Sequence, residues 1–170
     1  MSVKNGVIVK PIVNIYHQIF KDIDLLFAMK TRLIDDIDII PKNFLPSLVQ
    51  ERIIKKHEVR VFFLLNSFYA VKIIEPRDFT DVDHRLAMAQ RSLRYEIINL
   101  PEKLKEKLRK LMKYYEFNCA SIDMIVNKKN EYIFLEINPV GQFLYHSYYT
   151  NTHIELKIAE TIKKLYEENE

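Results

Sequence analysis

Two glycines, Gly6 and Gly141, serve the whole 170-residue chain, where average usage gives roughly a dozen. A Walker loop or a dinucleotide fingerprint each needs several glycines at fixed offsets, because the backbone must approach phosphate closely. Neither exists here. If the chain handles a nucleotide, another device holds the phosphates. The rest of the composition is ordinary. At 48% hydrophobic and 29% charged, it has material for one sizeable core and is not intrinsically disordered. No apolar run approaches ~18 residues, so no membrane span is expected. The single cysteine, Cys119, excludes an intrachain disulfide framework and a cysteine-based zinc cluster. No signal peptide opens the chain, and a cytoplasmic location is expected. The net charge of +3 does not by itself argue for nucleic acid, and neither nucleic acid nor a membrane is an expected partner.

Along the chain, GVIVKPIV (6–13) reads as a strand closed by Pro11. DLLFAMKTRLI is ambiguous between strand and helix and is read as a strand paired with the first. IDDIDIIPKNF reads as a loop with a helical turn. SLVQERII (47–54) reads as a strand. EVRVFFLL (58–65) and SFYAVKII (67–74) read as a hairpin turning at Asn66-Ser67. Residues 75–100 read as irregular. Pro101 opens an amphipathic helix striped by Leu104, Leu108, Leu111 and Tyr115. CASIDMIV and EYIFLEIN form a hairpin around Asn127–Asn130. A last helix opens on a Thr152–Glu155 capping box and buries Ile154, Ile158, Ile162 and Leu165. Strands first, then helix, hairpin and helix, imply an α+β domain with antiparallel sheet.

The 119–138 hairpin carries the chemistry. Side chains alternate along a strand, so Glu136 and Asn138 are placed on one face with Phe134. If Asn127 pairs with Asn130, position 123 lies opposite 134 and position 121 opposite 136. Asp123 is then the diagonal neighbour of Glu136, roughly 7–8 Å away. Two carboxylates and an amide oxygen at that spacing suit a hard cation such as Mg²⁺. The bland alternative is a wet outer face with stray acids. An acid inside the apolar run FLEIN argues against it.

Asp123, twelve intervening residues, then Glu136-x-Asn138 resembles the metal-binding signature of the ATP-grasp ligases. Val9-Lys10-Pro11 resembles that family's lysine strand. Leu48-Val49-Gln50-Glu51 with Ile53 resembles its hinge strand, and Glu58-Val59-Arg60 resembles the motif that follows. FLEINPVGQF, and Asp83-x-Arg85 after a β-rich hairpin, resemble its peptide-maturing branch, which includes the microviridin-type (graspetide) and grasp-with-spasm ligases. The resemblance spans roughly residues 6–165.

The resemblance implies antiparallel ATP-grasp sheets with packed helices and an incomplete small subdomain. Residues 1–54 would be that partial subdomain with the hinge strand, and 55–170 the large subdomain with the metal site. Its cofactors would be ATP and Mg²⁺. Lys10 would contact phosphates. Gln50, Glu51 and Ile53 would hold the adenine, and Glu58 the ribose hydroxyls, or else Glu58 merely balances Lys55 and Lys56. Arg60 and Arg85 would stabilise charge on the transferring phosphoryl group. Asp123, Glu136 and Asn138 would hold Mg²⁺, and Gln142 would touch substrate. The implied reaction activates a carboxylate as an acyl phosphate and joins it to an amine or hydroxyl. A precursor peptide or protein would be the substrate.

Two departures favour a different class, a non-catalytic nucleotide- or peptide-binding module. Residues 14–32 carry no glycine where the family closes a glycine-rich loop over the phosphates; His17, Gln18 and Lys21 are the stand-ins. The chain also starts at the lysine strand. A fragment, a shortened homologue, a homodimer and a half completed by a companion N-terminal chain all remain open. Five histidines without close spacing argue against a zinc site. Cys119 reads as a core thiol. Phe143, Tyr145, Tyr148 and Tyr149 either pack a core or grip a peptide, with packing expected. The run Lys103, Lys105, Lys107, Arg109, Lys110 and Lys113 is a solvated helix face or a dock for an acidic peptide.

Overall fold

The computed structural model describes residues 6–11, 15–20, 23–28, 32–34, 46–76 and 93–168. It is an α+β protein in two units. One combines Met1–Ile54 with Pro76–Ser92, the other Lys55–Glu75 with Leu93–Glu170.

In the first unit, strand β1 (Val7–Pro11) sits between β4 (Arg32–Ile34) and β5 (Ser47–Glu51), antiparallel to both. Strands β2 (Ile15–Phe20) and β3 (Ile23–Ala28) form a separate hairpin. The expected pairing of 24–34 with the first strand therefore holds only for its last three residues, Arg32–Ile34. Residues 23–28 pair instead with 15–20, a partner nearer in sequence that closes at lower entropic cost than a long return. The loop expected at 34–44 falls, beyond Ile34, outside the described residues.

The second unit is a five-stranded antiparallel sheet, in the order β10-β9-β6-β7-β8. Its strands are β6 (Lys55–Leu64), β7 (Ser67–Ile74), β8 (Arg94–Ile98), β9 (Cys119–Asn127) and β10 (Tyr132–Asn138). Three helices follow the chain: α1 (Glu102–Tyr114), α2 (Leu144–Thr150) and α3 (Ile154–Glu167). Alternation along the strands makes two apolar faces. Val59, Val61, Phe63, Ala70, Ala120, Ile122 and Met124 form one core with Leu108 and Met112 of α1. Removing each of the larger side chains, the valines, Phe63, Ile122, Leu108 and the methionines, from water contributes about 1.5–3 kcal/mol. The other face carries Phe62, Val71 and Ile73, all buried. There Phe62 lies 4.8 Å from Phe143 and Tyr95 5.1 Å from Tyr149, centroid to centroid.

Several expectations are corrected. Residues 94–98 are a strand: paired through Ala70↔Ile98 to Ile74↔Arg94, RYEII is held by its neighbour rather than by its own pattern. The β6–β7 turn is Leu65-Asn66, since Leu64 pairs with Ser67, and Leu65 takes the left-handed conformation at φ 52. On α1 the buried stripe runs through Leu108 to Met112 while Tyr115 is exposed, because i, i+4 spacing keeps one face better than the drift to position 115. Helix α3 buries Ile154 only; Ile162 and Leu165 are exposed. Its N-cap is His153, not Thr152. The Ser147 hydroxyl accepts from Ile154 N at 2.9 Å and donates to Glu155, so the cap comes from α2. Cys119 is exposed rather than a core thiol; it sits on the face away from Ala120.

Candidate active site

The β9–β10 hairpin turns on three residues, not two. Asn127 N donates to Glu131 O at 3.1 Å, and Asn130 takes φ 63. The Asn127 side-chain oxygen accepts from Lys129 N and Glu131 N at 2.9 and 3.0 Å. This places Phe134 across from Met124, on the α1 face, so the expected sharing of a face by Phe134 and Glu136 is wrong. The register then shifts between Phe134 and Glu136. Leu135 is the extra residue of a β-bulge, a device that re-aims side chains. Past the bulge, Glu136 is the direct partner of Asp123, and Asn138 of Ser121. The carboxylates are thus directly opposed rather than diagonal. Directly opposed residues on one face have Cβ atoms about 4.5–5.5 Å apart.

Arg60 is the central strand's contribution. It pairs across with Asp123 and is only 8% exposed. Its Nε lies 3.2 Å from Asp123 Oδ1. Its Nη1 donates to the Tyr145 hydroxyl at 2.7 Å, and the guanidinium sits 5.5 Å from that ring's centroid. A buried guanidinium needs such partners. Burial pushes the Tyr145 hydroxyl above its ordinary pKa; Arg60 pulls the other way and Asp123 adds to the rise. Burial, with Tyr145 and Tyr149 nearby, pushes Tyr95 up to about 12.

Asn138 closes the strand. Its side-chain oxygen accepts from Val140 N at 3.0 Å, and its carbonyl accepts from Gly141 N at 3.1 Å. Asn, Pro and Gly at the first, second and fourth positions suit such a turn. Gly141 stands at φ 61, where a Cβ would meet Phe62 Cε2 at 3.1 Å. The turn uses one lone pair of the Asn138 amide oxygen and leaves the other. Two carboxylates and an amide, all oxygen donors, fit a hard divalent cation. Among the described residues, no three His, Cys, Asp or Glu side chains gather as a metal site, so the amide is essential to this donor set.

Glu58 shares this face of the sheet. Lys55 Nζ donates to Glu58 Oε1 at 2.6 Å and to Glu75 Oε1 at 2.5 Å. Burial pulls the Lys55 ammonium down, but the two carboxylates outweigh it and its pKa is raised. Glu58 therefore does balance Lys55, as half of the plainer expectation had it, while Lys56 donates to Asn130 Oδ1 at 2.8 Å. The Lys55–Glu75 bond and the Tyr145–Arg60 bond went unread in the sequence. Tyr145 was visible only as one member of an aromatic cluster, and that cluster splits: Phe143 and Tyr145 pack on the sheet, while Tyr148 is 80% exposed.

Lys10, Gln50, Glu51 and Ile53 lie in the first unit. Lys10 pairs with Leu48, and Gln50 with Ile8, so Lys10 and Gln50 share a face. Glu51 pairs with Val7 and is on the other. Ile53 follows β5 and is half-buried. Gln142, beyond the Asn138 turn, is exposed. Asp83, Arg85 and Lys21 lie outside the described residues. His17 and Gln18 are described for backbone only, in β2.

Solved structures have a similar fold. A Chryseobacterium gregarium RiPP-associated ATP-grasp ligase, in complex with ADP and a leader and core peptide, superposes with a TM-score of 0.68 at 22% identity. It is matched over 84% of this chain and 43% of its own. The chain has the fold of the matching part of that ligase. The macrocyclase MdnC from Microcystis aeruginosa, bound with precursor peptide MdnA, gives 0.63 at 26% identity over 86% of this chain and 42% of its own. The ATP-grasp ligase PsnB, complexed with a phosphomimetic variant of minimal precursor, Mg and ADP, gives 0.69 at 18% identity over 95% and 47%. The chain thus spans a little under half the length of these ATP-grasp ligases. No family model and no curated protein sequence matches it.

Proposed function

We propose that this chain works as an ATP-dependent ligase in the maturation of a ribosomally made peptide. It would activate a side-chain carboxylate of a precursor peptide and join it to an amine or hydroxyl. The observation that carries the reading is the directly opposed Asp123–Glu136 pair with buried Arg60 beside Asp123, on a fold shared with ligases that bind ADP and precursor peptides. Residues 1–54 would serve as the partial small nucleotide-binding subdomain with its hinge strand, and 55–170 as the large subdomain.

In this reading the substrate carboxylate takes the phosphoryl group of ATP and ADP leaves. The amine or hydroxyl then attacks the acyl carbon, phosphate departs, and the nucleophile gives up its proton. The protein's part is positioning and charge stabilisation. Arg60, fixed by Asp123 and Tyr145, would present its guanidinium to the developing phosphate charge. Arg85 would share that task, with Lys10 on the phosphates, Gln50, Glu51 and Ile53 at the adenine and Glu58 at the ribose. Asp123, Glu136 and the free lone pair of Asn138 would hold Mg²⁺, which would supply positive charge to neutralise the phosphates. A cytoplasmic setting fits the need for ATP. No helix of the described residues is long and apolar enough to cross a membrane.

The test is calorimetric titration of Mg·ATP into the purified chain, then phosphate release with an acid-rich precursor peptide. Binding followed by peptide-dependent release supports the ligase. Binding without release supports the non-catalytic module, and no binding at all overturns the nucleotide site.

A further inference from the structure

Lys55 opens β6 and Glu75 directly follows β7, so both stand at the open end of the β6–β7 hairpin. Strict alternation would put positions 55 and 58 on opposite faces. The register against β9 shifts between Lys55 and His57, and such a bulge re-aims the side chains beside it. Lys55 thereby reaches the side of Glu58. Glu58 pairs with Ile73, and Glu75, two residues on, keeps to the same side. We propose that Glu75 and Lys55 are positioning residues for the nucleotide: Glu75 holds Lys55, Lys55 orients the Glu58 carboxylate, and Glu58 so held selects a sugar that carries both vicinal hydroxyls. The inference rests on the reading of Glu58 as the ribose contact. It goes beyond that reading by placing the selectivity in two residues that do not touch the sugar.

The network is built to hold its shape. Lys55 Nζ lies 2.6 Å from Glu58 Oε1 and 2.5 Å from Glu75 Oε1, with the three side chains 21%, 16% and 17% exposed. Ion pairs so shielded from water keep more of their attraction than surface pairs. The Lys72–Glu96 pair of the same hairpin, 30% and 55% exposed, is the surface counterpart. Lys55 stays a cation, since its two carboxylates outweigh its burial. A carboxylate has about four acceptor sites, so the bond from Lys55 fixes the Glu58 group and is compatible with two hydroxyl hydrogens on it.

Each member has a distinct part. Without Glu75 the whole ammonium charge settles on Glu58, and Lys55 competes with the hydroxyls for its oxygens. Without Lys55 the two carboxylates repel each other, and Glu58 turns away from the orientation it now holds. Either loss removes the hydroxyl contacts and leaves contacts to base and phosphates in place. An ion network that served only the fold would instead affect nucleotides with and without hydroxyls alike.

The experiment is calorimetric titration of the full chain with ADP and with the dideoxy analogue that lacks both ribose hydroxyls, each with Mg²⁺. The readout is the ratio of the two affinities. Wild type should prefer ADP by about tenfold or more, and Glu58→Ala should abolish the preference. Glu75→Gln and Lys55→Met should each cut it at least about threefold through weaker ADP binding, the analogue binding as it does to wild type. The double variant should fall no further than Lys55→Met, because Glu75 acts through Lys55. Lys72→Met, which removes one ammonium from the surface pair, should leave the ratio unchanged. If Lys55→Met does not fold, Glu75→Gln decides alone. A preference kept in Glu75→Gln but lost in Glu58→Ala overturns the positioning role and leaves the ribose reading standing. Equal weakening of both ligands by Glu75→Gln overturns it too, as a structural effect only. A preference that survives Glu58→Ala, no preference in wild type, or no binding at all overturns the ribose reading and the inference together.

Discussion

Glu136 faces Asp123 because two one-residue irregularities in the same hairpin cancel. The three-residue turn after Asn127 pairs Phe134 with Met124. Continued without interruption, that register would set Glu136 opposite Ile122, in the core against α1. The bulge at Leu135 shifts it once more and returns Glu136 to the face of Asp123 and Arg60. A slip of one residue exchanges every side chain between faces, so the acidic pair depends on both irregularities.

The two acids of that pair should differ sharply in their effect on stability. Asp123 is the ion partner of Arg60, whose side chain is 9% exposed. Asp123→Ala leaves that guanidinium charge with Tyr145 as its hydrogen-bond acceptor. The expected loss is about 2–3 kcal/mol, below the range for fully buried pairs since Asp123 is partly exposed. Glu136→Ala should cost less than about 1 kcal/mol without metal, because opposed like charges repel. Urea unfolding of both variants, free of divalent cations, gives the comparison; equal losses contradict the geometry.

Much of this arrangement was legible in the sequence, and the exceptions have physical reasons. Helix α1 showed through Pro101 and its leucines, and the β9–β10 hairpin through its polar turn. Asp123 and Glu136 reached one face in the sequence reading by a single regular alternation; the protein gets there by two compensating shifts. Neither shift has a signature in apolar spacing, since Ile133, Phe134 and Leu135 are apolar in succession and read equally well in either register. Strand β8 was invisible because Arg94–Ile98 lacks clean alternation and is held by β7. The α3 cap was missed because Ser147 lies seven residues before Ile154, beyond any local capping pattern. Glycine scarcity pointed away from Walker-loop and dinucleotide-binding folds, and the sheets of the described residues are antiparallel.

Gly141 should tolerate no side chain. It combines φ 61 with a Phe62 ring carbon 3.1 Å from where a Cβ would stand. Gly141→Ala is expected to cost about 1–2 kcal/mol from the left-handed backbone alone, with the Phe62 contact adding to it. The reading is the urea midpoint. An unchanged midpoint would mean the Asn138–Gly141 turn is not formed as described.

Alkaline pH should reveal Tyr95. Its hydroxyl is buried with no hydrogen-bond partner among the described residues, and its pKa stands at about 12 against an ordinary value of 10.0. The folded state therefore keeps its proton where the unfolded chain has begun to lose it. The sign follows: the contribution is fully present below pH 10 and is lost as pH rises toward 12. Tyr95→Phe should flatten this fall. At neutral pH it should be neutral or stabilising, since an unsatisfied buried hydroxyl disappears. Urea midpoints between pH 7 and pH 12 measure both; a steeper alkaline fall in Tyr95→Phe contradicts the account.

Glu136→Gln offers the most direct test of the metal and nucleotide site, since it keeps size and hydrogen-bonding capacity while removing one charge. Thermal melts of wild type and variant are compared alone, with ADP, and with ADP and Mg²⁺. If Asp123, Glu136 and Asn138 hold the cation, wild type gains a Mg²⁺-dependent shift that the variant loses, while the two melt alike or the variant melts higher without metal. Equal Mg²⁺-dependent shifts in both proteins would remove Glu136 from the site and contradict the ATP-grasp reading of its chemistry.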